Sequence, residues 1–336
     1  MLTVICESPG VLTAADRPAP ERGADEVLVR IRRIGVCGTD LHIFEGNQPY
    51  LSYPRVMGHE LAGIAEAVPE GSAIRPGEIV YIIPYLSCGT CNACRAGKTN
   101  CCRNIQVLGV HRDGGMADYV SIPQRFVRPA AGLDLDSAAM VEFLAIGAHA
   151  VRRSQARAGQ RGLVVGAGPI GIAVALFARL RGVEVTMLDA RQDRLDFCAG
   201  SLGLDRTVTV GPDDAAKLAA ITEGDMFDLV FDATGSARAM ERGFGFVAHG
   251  GTYVLVSIVS GAIAFSDPEF HKRETTLLGS RNATEEDFET VVEALREGRI
   301  PAARLATHRL ALAEAPAAFP GLLDPAAGVV KALIEA

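Results

Sequence analysis

The chain has 336 residues, of which 49% are hydrophobic and 22% charged, and its formal net charge is −7. That is apolar mass enough for about two domains with sizeable cores. The mildly acidic balance leaves no electrostatic footprint for nucleic acid or an anionic membrane, so neither is expected as a partner.

The first residues, Met1 to Glu7, lack a basic region and an apolar core of signal length, which points to the cytoplasm. Up to about residue 150, short β-like runs such as Val27–Ile31 and Glu78–Ile83 are separated by turns, Arg75-Pro76-Gly77 and Asp113-Gly114-Gly115 among them. That pattern predicts an all-β barrel. The stretch Leu163–Ala178 is the longest apolar one, but its three glycines and Pro169 suit a buried strand, turn and helix better than a membrane span. From Gly162 onward apolar strands (Leu163–Val165, Glu184–Leu188, Leu229–Phe231, Thr252–Val256) alternate with helix-length segments, which predicts a parallel sheet. An amphipathic stretch from Glu285 to Glu297 and a closing strand, Val329–Ile334, finish the chain.

Cys88, Cys91, Cys94 and Cys102 form the pattern C-x2-C-x2-C-x7-C. Thiolates two residues apart on a turning backbone can close on one metal ion, and four of them satisfy a tetrahedral zinc with no open position. Small or turn-prone residues between them, Gly89, Asn92 and Gly97 included, suit a metal-wrapped lobe at about residues 86–104. A pair of disulfides is the competing arrangement, disfavoured in a cytosolic chain of this size. Cys101 is the rival for fourth ligand, while Cys6 and Cys198 read as inert core thiols.

Gly166-Ala167-Gly168-Pro169-Ile170-Gly171 is G-x-G-x-x-G, placed directly after the strand Leu163–Val165 and before the helix Ile172–Leu180. Gly166 allows the tight turn, Gly168 lets a pyrophosphate approach the backbone, and Gly171 lets the helix pack on the strand. Pro169 and Ile170 stand with the glycines as cofactor-binding candidates, and the N-terminus of the following helix offers free amides to phosphate. A plain strand–helix turn is the alternative. Asp189 ends the next strand, where a carboxylate accepts from ribose hydroxyls and repels a 2′-phosphate, favouring NAD. Its other role would be to cap the following helix. Arg191 and Arg194 lie close enough to serve a 2′-phosphate and so leave NADP open. Asp232-Ala233-Thr234-Gly235 ends a later strand, which puts Thr234 at the nicotinamide end of the crevice.

Cys37, His59 and Glu60 offer sulfur, nitrogen and oxygen, a mixed set of the kind that leaves a catalytic zinc one open position. Taken alone they would be a core thiol and a surface pair.

Together, Gly35-Val36-Cys37-Gly38-Thr39-Asp40-Leu41-His42, Gly58-His59-Glu60, the four-cysteine lobe and Val165–Gly171 make the chain similar, over essentially its full length, to the zinc-dependent medium-chain alcohol/polyol dehydrogenase family. The resemblance implies an α/β architecture. A GroES-like β-barrel catalytic domain would comprise residues 1–148 and 284–336, and a Rossmann doubly wound parallel-sheet domain, residues 149–283, would bind NAD. It implies two zinc ions per chain, one catalytic and one structural, a small-molecule substrate, and a homodimer or homotetramer. Glu142 stands where sorbitol- and threonine-dehydrogenase-like members carry a glutamate in place of a second cysteine ligand. Cys37, His59, Glu60 and Glu142 would surround the catalytic zinc. With a thiolate and both carboxylates the site would be net negative, so one glutamate coordinates firmly and which one is left open. Thr39 would pass the substrate proton to the cofactor ribose and His42 would relay it outward. Asp40 is a capping or turn residue in the alternative reading. Lys331 matches a pyrophosphate-binding basic residue, or else is a surface lysine.

Gly46-Asn47-Gln48-Pro49-Tyr50, Ser266–Glu274 and Gly279–Thr284 further resemble the subgroup of L-galactonate 5-dehydrogenase and starvation-sensing dehydrogenases. That implies a sugar acid or polyol oxidised at one secondary hydroxyl, with His111, Arg112, Lys272 and Arg281 as candidate cations for a carboxylate. A general sorbitol/threonine-dehydrogenase-like enzyme, and a non-enzymatic regulatory or binding protein on the same scaffold, are the competing functions. Keeping Cys37, Thr39, His42 and His59 together favours the enzyme, and the two cysteine sets disfavour a zinc-free quinone reductase. Metal analysis of the purified protein should approach two equivalents of zinc per chain; a stable protein with none would overturn the double-site reading.

Overall fold

Along the strand Glu26–Val36, Val27, Val29 and Ile31 are buried while Arg30 is exposed. This is the period of two expected where one face meets a core. The structure, a computed structural model, describes residues 1–48 and 51–336. Pro49 and Tyr50 of the subgroup-like segment lie outside the described residues.

The chain divides into two units, Met1–Glu142 with Val291–Ala336, and Phe143–Thr290. The divisions fall inside two helices, Val141–Arg153 and Glu285–Arg296, and so a few residues away from the boundaries expected from the sequence.

In the first unit a seven-stranded sheet runs Ala306–Ala311, Lys331–Glu335, Glu26–Val36, Glu60–Ala67, Ile79–Ile82 and Val127–Pro129, with Tyr119–Pro123 also pairing to Glu26–Val36. The C-terminal strand lies antiparallel beside Glu26–Val36, with Ala332 opposite Val36. On its other side, Glu26–Val36 sets Gly35 opposite Glu60. Two segments from the first fifth of the chain and one from its end therefore meet at one place in the sheet.

In the second unit six strands pair in parallel, in the order Thr207–Thr209, Glu184–Asp189, Arg161–Val165, Phe227–Asp232, Val247–Leu255, Thr276–Gly279. This is the three-two-one-four-five-six order of doubly wound dinucleotide folds. Leu163, Val164, Leu229, Val230 and Phe231 are all at most 1% exposed, the continuous burial of a sheet covered on both faces. The helix Pro169–Leu180 is buried from Gly171 to Ala178. Among the described residues no helix is long and apolar enough to cross a membrane.

Gly166 adopts φ +102°, and a Cβ at Gly171 would stand 1.8 Å from the Gly166 carbonyl oxygen. The turn and the helix touch there through backbone alone. Gly171→Ala should therefore cost about 1–3 kcal/mol of stability through overpacking. A Cβ at Gly200, in the helix Gln192–Leu202, would meet nothing within 4 Å. Gly200→Ala should add about 0.5–1 kcal/mol by removing helix-interior glycine entropy. Thermal denaturation of both variants checks the pair of opposite signs.

Candidate active site and nucleotide cleft

The helix Gly38–Glu45 begins where Cys37 leaves the strand Glu26–Val36. Cys37 Sγ accepts the Thr39 amide at 3.1 Å, and Asp40 Oδ2 accepts the Cys37 amide at 3.0 Å, a reciprocal N-terminal cap. Asp40 is fully buried, and its Oδ1 accepts the Gly58 amide at 3.2 Å. One carboxylate thus ties the segment bearing Cys37 to the segment bearing His59. His59 Nε2 faces Cys37 Sγ at 3.1 Å, and its Nδ1 lies 3.9 Å from Asp40 Oδ1.

Behind this pair lies more negative charge. His59, Glu60 and Glu142 are each at most 5% exposed, and one side-chain ligand atom from each falls within 4.8 Å of the others. Cys37, Asp40 and His59 form a second such group, so His59 is common to both. Tyr85 donates to Glu142 Oε1, whereas Glu142 Oε2 and His59 Nδ1 are buried without a hydrogen-bond partner. Burial, with the neighbouring charge of Glu60 adding to it, raises Glu142 to about 7 against the pull of His59. Burial alone would lower His59, but the Cys37 thiolate and Asp40 overcome it and hold the imidazole well above its usual value. A half-buried sulfur, a buried imidazole and a buried, unpartnered carboxylate oxygen fit a divalent cation such as zinc.

The structure corrects the expectation for Lys331. Its side chain is buried rather than on the surface, and its Nζ lies 2.7 Å from both Glu60 oxygens and 3.2 Å from the Val36 carbonyl. The strand Lys331–Glu335 pairs with Glu26–Val36 and so carries Lys331 to Glu60, not to a phosphate. Gly35 makes room, since a Cβ there would stand 2.0 Å from Glu60 Oε2. Thr39 is half-buried, and His42, three residues on along the same helix face, has a side chain 63% exposed beside Glu45.

Cys88, Cys91, Cys94 and Cys102 bring their sulfurs within 4.8 Å of one another, and Cys101 stands outside this group on the surface. None of the eight cysteines is joined in a disulfide. The Thr90 hydroxyl and amide lower Cys88 to about 5, whereas desolvation holds Cys94 at about 11. Burial raises Cys6 to about 11 and Cys198 to about 12, in keeping with inert thiols.

In the second unit a cleft of about 510 Å³ opens at the carboxyl ends of the central strands, lined among others by Gly166, Gly168, Asp189, Thr234 and Arg238. A Cβ at Gly168 would meet nothing within 4 Å. Pro169 and Ile170 start the helix behind it. Asp189 Oδ2 accepts the Ala167 amide at 2.6 Å and Oδ1 accepts the Arg191 amide at 2.7 Å. Arg191 pairs with Asp193 at 2.6 Å, and burial, then Arg191, lowers Arg194. Neither arginine lines the cleft; Arg238 and Arg242 do, and Arg242 is held at 2.7 Å by buried Asp214.

Residues 23–132 match the family model described as alcohol dehydrogenase GroES-like domain, and residues 169–297 the model described as zinc-binding dehydrogenase. L-galactonate-5-dehydrogenase of Escherichia coli (strain K12) is 44% identical over 92% of this chain and 91% of its own. The chain belongs to the zinc-type alcohol dehydrogenase family. It is accordingly an oxidoreductase of the alcohol/polyol class with the GroES-like plus Rossmann fold. The 2-dehydro-3-deoxy-L-galactonate 5-dehydrogenase of Pseudoalteromonas atlantica is 32% identical, with 94% of this chain and 93% of that protein covered. Among solved structures, the RspB alcohol dehydrogenase of E. coli CFT073, complexed with NADH, superposes with a TM-score of 0.93 at 29% identity, covering 100% of this chain and 99% of that one.

Tyr85, Arg238 and Arg242 carry no motif, and sequence reasoning missed them; Gly35 stood in a motif, but its place against Glu60 was not foreseen. Each is brought to its site by strand pairing or by the position of a helix after a strand. Lys331→Met should destabilise the protein by about 3–5 kcal/mol, because Glu60 would be left buried without its cation. Adding Glu60→Gln should recover much of that loss, as chemical denaturation of both variants will show.

Proposed function

We propose that the chain oxidises one secondary hydroxyl of a sugar acid or polyol of the L-galactonate type to a ketone, with NAD as acceptor. The observation that carries the reading is the buried cluster in which His59 Nε2 faces Cys37 Sγ at 3.1 Å beside an unpartnered Glu142 Oε2. Cys37, His59 and Glu142 would hold the catalytic zinc, and Cys88, Cys91, Cys94 and Cys102 the structural one. When bound, zinc supplies a Lewis acid that makes a hydroxyl acidic near neutral pH, and NAD supplies the site to which hydride goes.

This chain's own residues do the rest. A thiolate, a neutral imidazole and one carboxylate balance a dication. Lys331 separately neutralises Glu60, which leaves Glu142 the firmer donor and Glu60 an adjacent reserve. Asp40 holds Cys37 and His59 together and faces the outer imidazole nitrogen, the usual support of a ligating histidine. The Thr39 hydroxyl would accept the substrate proton while giving up its own to the cofactor ribose, from which exposed His42, on the same helix face as Thr39, would relay it to solvent. Residues 1–148 and 284–336 serve the metal chemistry, and residues 149–283 bind coenzyme. There Gly166, Gly168, Pro169, Ile170 and Gly171 form the phosphate cradle, Asp189 selects against a 2′-phosphate, and Thr234 borders the nicotinamide side. Arg191 is occupied by Asp193, which supports NAD over NADP. A cytoplasmic homodimer or homotetramer fits this class.

The likeness to L-galactonate-5-dehydrogenase supports the sugar-acid class. His111 and Arg281 remain as candidate carboxylate contacts, whereas Arg112 lines a cavity beside the four-cysteine lobe. Lys272 fits the role less well, being an exposed partner of Glu269 at 3.6 Å. The test compares L-galactonate, sorbitol and ethanol at saturating NAD, and repeats the best with NADP. The expected order of kcat/KM is aldonate, then polyol, then ethanol, with NAD preferred. His59→Ala should abolish turnover while leaving NAD binding within about threefold, since the cleft lies on other residues. Ethanol as the best substrate would overturn the substrate class; NADP as the better acceptor would overturn the role of Asp189.

A further inference from the structure

In the first unit, outside the catalytic cluster, a cavity of about 230 Å³ lies beside the metal lobe. Besides Cys88, its polar lining is Ser87, Asn104, Gln106, Arg112 and Arg125, and no carboxylate lines it. Several arginines of this acidic chain are paired with carboxylates, as in Arg33–Asp136, Arg152–Asp287, Arg206–Glu184 and Arg242–Asp214. Among the described residues, Arg112 and Arg125 have no ion pair. The Arg125 guanidinium is instead seated over the Phe126 ring, 4.7 Å from its centroid, an arrangement that orients its donors without using them. The cavity thus combines two uncompensated guanidinium groups with two amide side chains and a hydroxyl.

We propose that this cavity is a binding site for a small oxyanion of the phosphate class, and that the bound anion clamps the four-cysteine lobe. Guanidinium forks match the oxygens of a tetrahedral dianion, and amide and hydroxyl donors complete its shell. The placement gives the anion its second role. Ser87 and Cys88 lie at the entry of the lobe and Asn104 and Gln106 at its exit. The short pairing of Tyr85–Leu86 with Gln106–Val107 joins the two ends. An anion bonded to both ends adds a link across the base of the loop that carries Cys88, Cys91, Cys94 and Cys102. It therefore slows the opening through which a metal would leave. Nothing in this requires the catalytic reaction, and the site stands whether or not the proposed substrate is right.

The test uses the full-length, zinc-loaded protein and inorganic phosphate. Calorimetric titration at constant ionic strength, with chloride replacing phosphate, should give one saturable site. Arg112→Gln with Arg125→Gln should weaken it at least tenfold, while Arg103→Gln, an exposed lobe arginine outside the lining, should leave it unchanged. Zinc release to a chromophoric chelator should slow several-fold on adding phosphate to the wild type and not respond in the double variant. Glycerol 3-phosphate in place of phosphate separates a site for phosphate esters, if it binds as well, from one for the free ion, if it does not; both outcomes support an oxyanion site. Phosphate binding that survives loss of both arginines, or a response that chloride reproduces, would overturn the site. Zinc release indifferent to bound phosphate would overturn the clamp. Because the readouts are phosphate affinity and metal retention, a failure here leaves the dehydrogenase reading intact, and inactivity toward aldonates leaves this one intact.

Discussion

Buried negative charge is the constraint around which the first unit is arranged. Asp40, Glu60 and Glu142 are all at most 3% exposed, and a cysteine sulfur stands among them. Three carboxylates cannot be withdrawn from water unless each has a partner. Asp40 finds two backbone amides, Glu60 finds Lys331, and Glu142 finds the Tyr85 hydroxyl for one oxygen only. The remaining deficit, at Glu142 Oε2 between His59 and Glu60, is what a divalent cation corrects. Fold and chemistry thus meet the same electrostatic requirement.

Satisfying Glu60 has a consequence for topology. Its cation lies 271 residues away in sequence, so the chain must return to the first sheet after completing the second unit. The pairing of Lys331–Glu335 with Glu26–Val36 accomplishes that return and sets Ala332 opposite Val36. Removing Lys331 would thus weaken a charge balance and a strand seam together. A buried pair of this kind is a poor source of net stability in comparison with apolar packing, but breaking it is costly. Its value here is that the Glu60 carboxylate has a cation of its own beside the cluster of Cys37, His59 and Glu142.

The second unit meets a different need. Its turn into the helix is shaped by glycine backbone: the Gly166 turn at φ +102°, the open space at Gly168 and the contact of Gly171 with the Gly166 carbonyl. Asp189 joins this loop to its own strand by accepting the Ala167 amide. The carboxylate expected to meet a ribose therefore also positions the turn that would cradle the phosphates, which makes its substitution a test of structure as much as of specificity.

The sequence by itself determined what local chemistry dictates. The spacing of Cys88, Cys91, Cys94 and Cys102 set a lobe, the glycines from Gly166 to Gly171 set a turn into a helix, and the alternation of strands and helices set a parallel sheet. Each depends on neighbours a few residues apart, where backbone geometry leaves few choices. Asp40 was legible only as a cap, and its second bond to Gly58 was not. Tertiary structure alone decided the partnership of Lys331 with Glu60, the hydroxyl of Tyr85 on Glu142, the space at Gly35 and the arginines in the nucleotide cleft. These contacts join residues tens to hundreds of positions apart through strand register, and a register carries no signature in either segment read alone. Glu60 and Glu142 were indistinguishable for the same reason: what separates two glutamates of equal chemistry is a lysine 271 residues from one of them.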